Sequence, residues 1–122
     1  MPVDYARQVV FINGVEATLA ESFEMKTESG EQPILILNEG LAGFTPGAGQ
    51  TTISGTLYVP VGGFQIDVQS FCANGEYVPI QYGVGPVAYV GTGKFTEVTI
   101  SGGVNEPVKV QFTWLGEKKA ME

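Results

Sequence analysis

The chain contains no histidine, and that settles most questions of chemistry at once. Without an imidazole there is no Ser-His-Asp or Cys-His arrangement, and the commonest metal ligand is missing. The single cysteine, Cys72, has no second thiol or imidazole to activate it, and it lies between Phe71 and Ala73 as a buried structural thiol does. Gly91-Thr92-Gly93-Lys94-Phe95-Thr96 has the look of a phosphate-binding loop. That motif needs a glycine five residues before the Gly-Lys pair and Ser or Thr directly after it. Ala88 and Phe95 occupy those positions, so the segment reads as a bulged strand. Calcium needs carboxylates clustered in one loop, and the acids here are scattered. A glycosidase needs two opposed carboxylates. Glu21 is the acid to weigh, because it sits at an apolar-parity position, and Glu97 is the second acid to replace in a test. Trp114 with Tyr77, Tyr82 and Tyr89 could stack on a sugar or a base, yet Trp114 shares parity with Val110 and Phe112 and reads as core. The expectation is therefore no catalytic residue, no metal and no cofactor.

The elements that must hold these residues show in a period of two. Val15, Ala17, Leu19, Glu21, Phe23 and Met25 alternate with Glu16, Thr18, Ala20, Ser22, Glu24 and Lys26. Ile53, Leu57 and Val59 alternate with Thr52, Ser54 and Thr56; Val98 and Ile100 with Glu97, Thr99 and Ser101; Val108, Val110, Phe112 and Trp114 with Lys109, Gln111 and Thr113. Successive strand side chains point to opposite faces, so each stretch has one apolar and one polar face. The chain reads as an antiparallel sheet folded over one core. Val9-Val10-Phe11-Ile12 and 15–27 form a hairpin around Asn13-Gly14, a tight-turn dipeptide. Ile34-Leu35-Ile36-Leu37 is a strand covered on both faces. Residues 38–51, with four glycines and Pro46, read as a long loop that Leu41 and Phe44 make apolar. Phe64, Val68, Phe71 and Cys72 fall at helical spacing before Asn74-Gly75, placing a helix over 65–73. Strands follow over 77–82, with Pro79 suggesting an edge, then 87–90, 94–101 and 108–115.

A chain of 122 residues fits one domain. Charged residues are 16%, below the roughly 25% of an average chain, which suits a surface that meets other protein. The net charge of −7 and pI near 4.4 repel phosphate, so tight nucleic-acid binding is not expected. One cysteine allows no internal disulfide. Met1-Pro2-Val3-Asp4-Tyr5 lacks the basic start and apolar run of a secretory signal, and no apolar stretch is long enough to span a bilayer. Folding in a cytosol, with no membrane partner, is the expectation.

The order of parts is a hairpin, a Gly-rich loop, a strand, a Pro/Gly break, a short helix and closing strands. It resembles that of the tail tube (major tail) proteins of tailed bacteriophages, relatives of the tube proteins of type VI secretion. The resemblance lies in Thr51-Thr52-Ile53-Ser54-Gly55-Thr56-Leu57-Tyr58, the helix region with Asp67, Gly93-Lys94-Phe95-Thr96-Glu97-Val98-Thr99-Ile100-Ser101, and Val108 to Gly116. It covers most of residues 7–117. The resemblance implies a mainly β, antiparallel two-sheet β-sandwich or partial barrel over residues 1–122, with one flanking α-helix. A flexible arm would span 1–6, an inter-ring loop 38–51, and a solvated tail 117–122. It implies stacked hexameric rings, a virion location after assembly in the host cytoplasm, and a lumen through which DNA passes without specific binding. Sheath, tape-measure, tail terminator and baseplate proteins are the further partners it suggests. Leu41, Phe44, Thr45 and Pro46 are then inter-ring contacts, and Glu16, Glu21, Glu24 and Glu97 lumen or interface acids. The other readings are a capsid decoration or baseplate component, or a carbohydrate-binding β-sandwich.

Overall fold

The structure, a computed structural model, describes residues 6–36, 40–45 and 49–122, with the backbone alone over the parts of 32–45 it includes. The elements are β1 (Gln8–Ile12), β2 (Val15–Glu16), β3 (Ala20–Glu28), β4 (Gln32–Ile36), β5 (Gly40–Thr45), β6 (Gln50–Tyr58), α1 (Val68–Asn74), β7 (Val78–Val84), β8 (Val87–Ser101) and β9 (Lys109–Gly116). Seven strands form one antiparallel sheet in the order β2-β1-β7-β8-β9-β6-β3, and β4 pairs only with β5. Of the expected two-sheet sandwich or partial barrel, the seven-stranded sheet forms the second, curled into a half-barrel over its own apolar face, with β4–β5 as a separate two-stranded sheet.

Two departures from the alternating pattern cause the curl. The stretch expected as one strand over 15–27 is broken at 17–19. Its first part, β2, pairs with β1 at one edge of the sheet; its second, β3, pairs with β6 at the other. Ala17 donates its N–H to Val10 and Leu19 accepts from Tyr58, so three residues span the gap between the two edges. The other departure is in β8. The strands expected over 87–90 and 94–101 are one strand of 15 residues. It pairs with β7 up to Gly93 and with β9 from Gly93 onward. The β1-β7 side is thereby folded over the β3-β6-β9 side.

The core lies between those sides. Trp114, Tyr89, Ile12, Ile53, Ile80, Val10 and Val110 are buried to 2% exposure or less. Tyr89 meets Trp114 edge-on at 6.1 Å, and Phe95 meets Phe112 edge-on at 5.4 Å, an arrangement aromatic quadrupoles favour. The polar ends of the rings are satisfied: Trp114 Nε1 donates to the Val78 carbonyl at 3.1 Å, and Tyr89 Oη to the Glu117 carbonyl at 2.6 Å. Tyr82 Oη donates to Gln8 Oε1.

The helix is shorter than the 65–73 expected. Asp67 caps it by accepting from the Ser70 N–H at 3.1 Å, and Gly75 ends it. Val68, Phe71 and Cys72 face the core, with Phe71 stacked on Phe95 at 6.2 Å, whereas Phe64 lies outside the helix and is exposed. β7 is an interior strand, so Pro79 does not mark an edge strand. Its carbonyl accepts from Asn13, just past the end of β1. A residue's N–H and C=O point to the same side of a strand, so the missing donor falls where β1 has already stopped. Residues 117–122 were expected as a solvated tail. They are mostly exposed, yet Glu122 exchanges two backbone hydrogen bonds with Ala88, and Met121 packs on the core.

Gly55 shows how tightly the inner face is fitted. It pairs with Phe23 on β3 and Phe112 on β9, and a Cβ built there would lie 2.4 Å from the Phe23 ring. The ring roofs the glycine. Gly55→Val forces Phe23 off its site, and overpacking of this kind costs about 1–3 kcal/mol. A domain of this size loses roughly 3–6 °C in Tm per kcal/mol, so thermal unfolding by circular dichroism should show a clear drop.

A second expectation concerns alkali. Burial, then the negative field of Glu24, holds the Tyr82 phenol above its ordinary range. Burial does the same for Tyr89, with a hydrogen bond from Thr51 opposing and Glu117 adding. The folded state favours the neutral phenols. Their contribution is complete below about pH 10 and is lost as pH rises through the raised values. In a titration past pH 10, tyrosinate absorbance at these sites should rise together with loss of β-sheet signal.

Candidate assembly surface

The outer face of β3, β6, β9 and β8 is built from the polar half of the alternation. Register places its side chains in rows across the four strands. Glu24 is opposite Ser54, Ser54 opposite Thr113, and Thr113 opposite Glu97. The adjacent row is Ser22, Thr56, Gln111 and Thr99, and on the other side lie Lys26, Thr52, Leu115 and Lys94. The first two of these rows line a shallow groove of about 340 Å³. The face is thus hydroxyl and amide in the middle, with an acid at each flank and a lysine one row away.

β-Bulges decide which acids belong to it. The register shifts between Ala20 and Ser22, so Glu21 is the extra residue of a bulge. Ala20 and Phe23 both keep the inner face, and Glu21 is released from the apolar position its parity gave it. It forms an ion pair with Lys109 at 3.2 Å, both side chains partly exposed. The hydrogen bond to Glu21, then its charge, raises the Lys109 ammonium above the usual range. β8 carries a second bulge between Phe95 and Glu97, which turns Phe95 inward and Glu97 outward on the polar face. Glu16 is exposed on β2, near the seam between β1 and β3 and away from the Glu24–Glu97 row.

The chemistry available is limited. Glu24 and Glu97 are three strand spacings apart, about 14 Å, beyond the 5–9.5 Å over which opposed glycosidase carboxylates work. Glu21 faces a lysine. Trp114, Tyr82 and Tyr89 are buried, so they offer no stacking platform, and exposed Tyr77 is covered by the Lys94 ammonium 4.5 Å above its ring. Cys72 is half-buried on α1. Among the described residues no group of three or more His, Cys, Asp or Glu could hold a metal ion, and no helix is long and apolar enough to cross a membrane.

Within the β3-β6-β9-β8 part of this sheet, two strand flanks lack a strand partner among the described residues; β2, at the far end of the order, is a third edge. β3 pairs only with β6. β8 passes from β7 to β9 at Gly93, which has Val78 on one flank and Gly116 on the other, so the β7-side flank of 95–101 has no strand partner, while α1 packs against β8 with Phe71 stacked on Phe95. No backbone hydrogen bond among the described residues fills it.

The remaining expected contacts lie around β4 and β5. Gly40–Thr45 forms a strand, so part of the expected 38–51 loop is the second arm of a hairpin. Leu41, Phe44 and Thr45 lie on β5, but their side chains are outside the described residues, as is Pro46. The hairpin springs from the Glu28/Gln50 end of the sheet. The opposite end exposes Val61, Val104 and Val108 in the turns after β6 and before β9. The alternation in sequence revealed the hydroxyl positions of the polar face, but not that Lys26, Glu28 and Lys94 stand at its flanks. That needs the register.

No protein-family model matches the chain, and no curated protein matches it. Among solved structures, it is similar to a chain in the virion of a native gene transfer agent particle. The TM-score is 0.71, with 13% identity over 94% of this chain and 93% of that one. It is also similar to a chain in the tail of an empty gene transfer agent particle, refined helically with C6 symmetry. There the TM-score is 0.58, with 15% identity over 89% and 86% of the two chains. At these identities the likeness establishes a shared fold.

Proposed function

We propose that this chain is a structural subunit of a phage-like tail tube, which joins edge to edge into hexameric rings that stack into a cylinder and conduct DNA. It acts as a building block and not as an enzyme. The observation that carries the reading is the pair of open flanks. β3, β6, β9 and the second half of β8 alternate in direction. Because four is even, β8 of one copy meets β3 of the next antiparallel, and the same joint repeats around a ring. Closing the ring removes both edges, which otherwise template aggregation. Contacts of this heterologous kind generate rings, and their stacks generate tubes. The fold shared with chains of gene transfer agent virions and tails, one with sixfold symmetry, supports a place in a virion tail.

The polar face then lines the lumen. Its hydroxyls and amides are neutral and wetted, and Glu24, Glu28 and Glu97 outnumber Lys26 and Lys94, so the wall is mildly anionic toward phosphate. Specific grip on nucleic acid needs clustered Lys and Arg, and a chain with 6 basic and 13 acidic residues does not supply it. The β4–β5 hairpin, whose strands pair with no other strand among the described residues, is the stacking element. A lone two-stranded hairpin is marginal in water, and an adjacent ring gives it a surface to rest on. Sheath, tape-measure, terminator and baseplate proteins are the partners such a tube meets.

Purified protein at high concentration should show hollow tubes by negative-stain electron microscopy; a strictly monomeric species in light scattering, with no tubes, would overturn the reading. Deleting residues 41–49 should leave the seven-stranded sheet folded by circular dichroism while stopping ring stacking. Tubes of unchanged length after the deletion would remove the hairpin from that role.

A further inference from the structure

We infer that neighbouring copies join with β3 displaced by two residues from straight-across alignment, so that Lys26 of one copy faces Glu97 of the next. The inference rests on the ring reading and specifies the joint that reading leaves open.

The side-chain period of a strand restricts the choices. Slipping by one residue would move every core side chain to the polar face, so the allowed registers differ by two. Continuing the rows straight across the joint sets Glu24 against Glu97. Like charges directly opposite destabilise a strand pair, and opposite charges stabilise it. Straight alignment therefore places a repulsive pair at the joint. A two-residue shift in one direction places Lys26 opposite Glu97 and Glu24 opposite Thr99, giving an attractive pair and no repulsive one. Shifting the other way sets Ser22 against Glu97, with no attractive pair. A shift by four sets Glu28 against Glu97.

The inner face gives the same answer independently. With Lys26 opposite Glu97, Met25 comes opposite Val98 and Phe23 opposite Ile100. Ile100 is 46% exposed in the single subunit, and Met25 and Val98 are half-buried. Straight alignment instead leaves Ile100 against the Glu21 bulge.

Within the subunit Lys26 is held only weakly. Lys26 pairs with Glu28 at 3.0 Å in an exposed bridge, a type worth little and easily exchanged. A displacement repeated at each joint is also the stagger that strands need to tilt and close a barrel.

Cysteine pairs measure the register directly. In a Cys72→Ser background, Lys26→Cys with Glu97→Cys should oxidise to a ladder ending at the hexamer on a non-reducing gel. Glu24→Cys with Glu97→Cys should stay monomeric under the same conditions. As a second measure, Glu97→Lys and Lys26→Glu should each lose rings, and the double exchange should restore them. A ladder from the Glu24/Glu97 pair overturns the register. So does the absence of any ladder from either pair in preparations that form tubes. Absence of tubes from the unsubstituted chain is a separate result, which removes the ring reading and the register with it.

Discussion

Gly93 has a hydrogen-bonded neighbour on each side, Val78 on one flank of β8 and Gly116 on the other. A Cβ at this position would lie 2.0 Å from the Leu115 carbonyl oxygen, a distance no side chain tolerates. The close approach lets β9 begin pairing where β7 stops. One long strand then serves two partners in succession and brings the β7 side over the β9 side. The buried contacts follow from that handover. Trp114 reaches the Val78 carbonyl, Tyr89 meets the Trp114 ring, and Phe23 lies 6.5 Å from Tyr82 across the half-barrel. The same handover leaves the β7-side flank of 95–101 open. Core and free edge thus have one cause, and the surface proposed for assembly is a by-product of the way the core is closed.

The period of two was readable in the sequence because burial on one face alone enforces it. That gave the mainly β class, the Asn13-Gly14 hairpin and the core positions of Trp114, Val110 and Phe112. It also gave the hydroxyl positions of the polar face. What it could not give was phase across a bulge. Glu21 shares odd parity with Phe23 and Met25, and only the partner strand shows that an extra residue intervenes. In β8, the change from odd inward residues such as Tyr89 and Phe95 to the even Val98 is the same effect, whereas the expected division of 87–101 fell at Gly91-Thr92-Gly93, where the strand in fact continues. A bulge is a property of a pair of strands, and a single strand's sequence does not contain its partner.

The segment 40–45 was misread for a related reason. Its glycines lower strand propensity, but propensity is a weak prior that a neighbouring strand can override. β4, with Ile34, Leu35 and Ile36, supplies that neighbour. The tail's side chains are mostly exposed; what its polar composition did not show is its attachment by backbone, Glu122 to Ala88. Charge composition says where side chains go and nothing about where the main chain finds hydrogen bonds. Catalytic chemistry was easier to weigh, because it depends on residue types that must be present before any geometry matters.

Distance explains why the polar face carries hydroxyls between acids and not acids throughout. Glu24 and Glu97 are about 14 Å apart across the row, further than the roughly 8 Å over which charge is felt at physiological salt. Within one subunit they scarcely oppose each other. A carboxylate at Ser54 or Thr113 would sit about 5 Å from one of them, a like-charge pair on adjacent strands. Neutral Ser, Thr and Gln keep the face wet without that cost, and the net charge of −7 leaves the chain anionic overall. The spacing safeguards the subunit but not the assembly. Both acids stand at the flanks where copies would meet, so the side chains that set the field along the wall are the same ones that must be accommodated at the joint. Lys26, one row from Glu24, provides that accommodation only if the strands are staggered. On this reading, the passage for DNA and the closure of the ring are a single electrostatic problem with one shared set of residues.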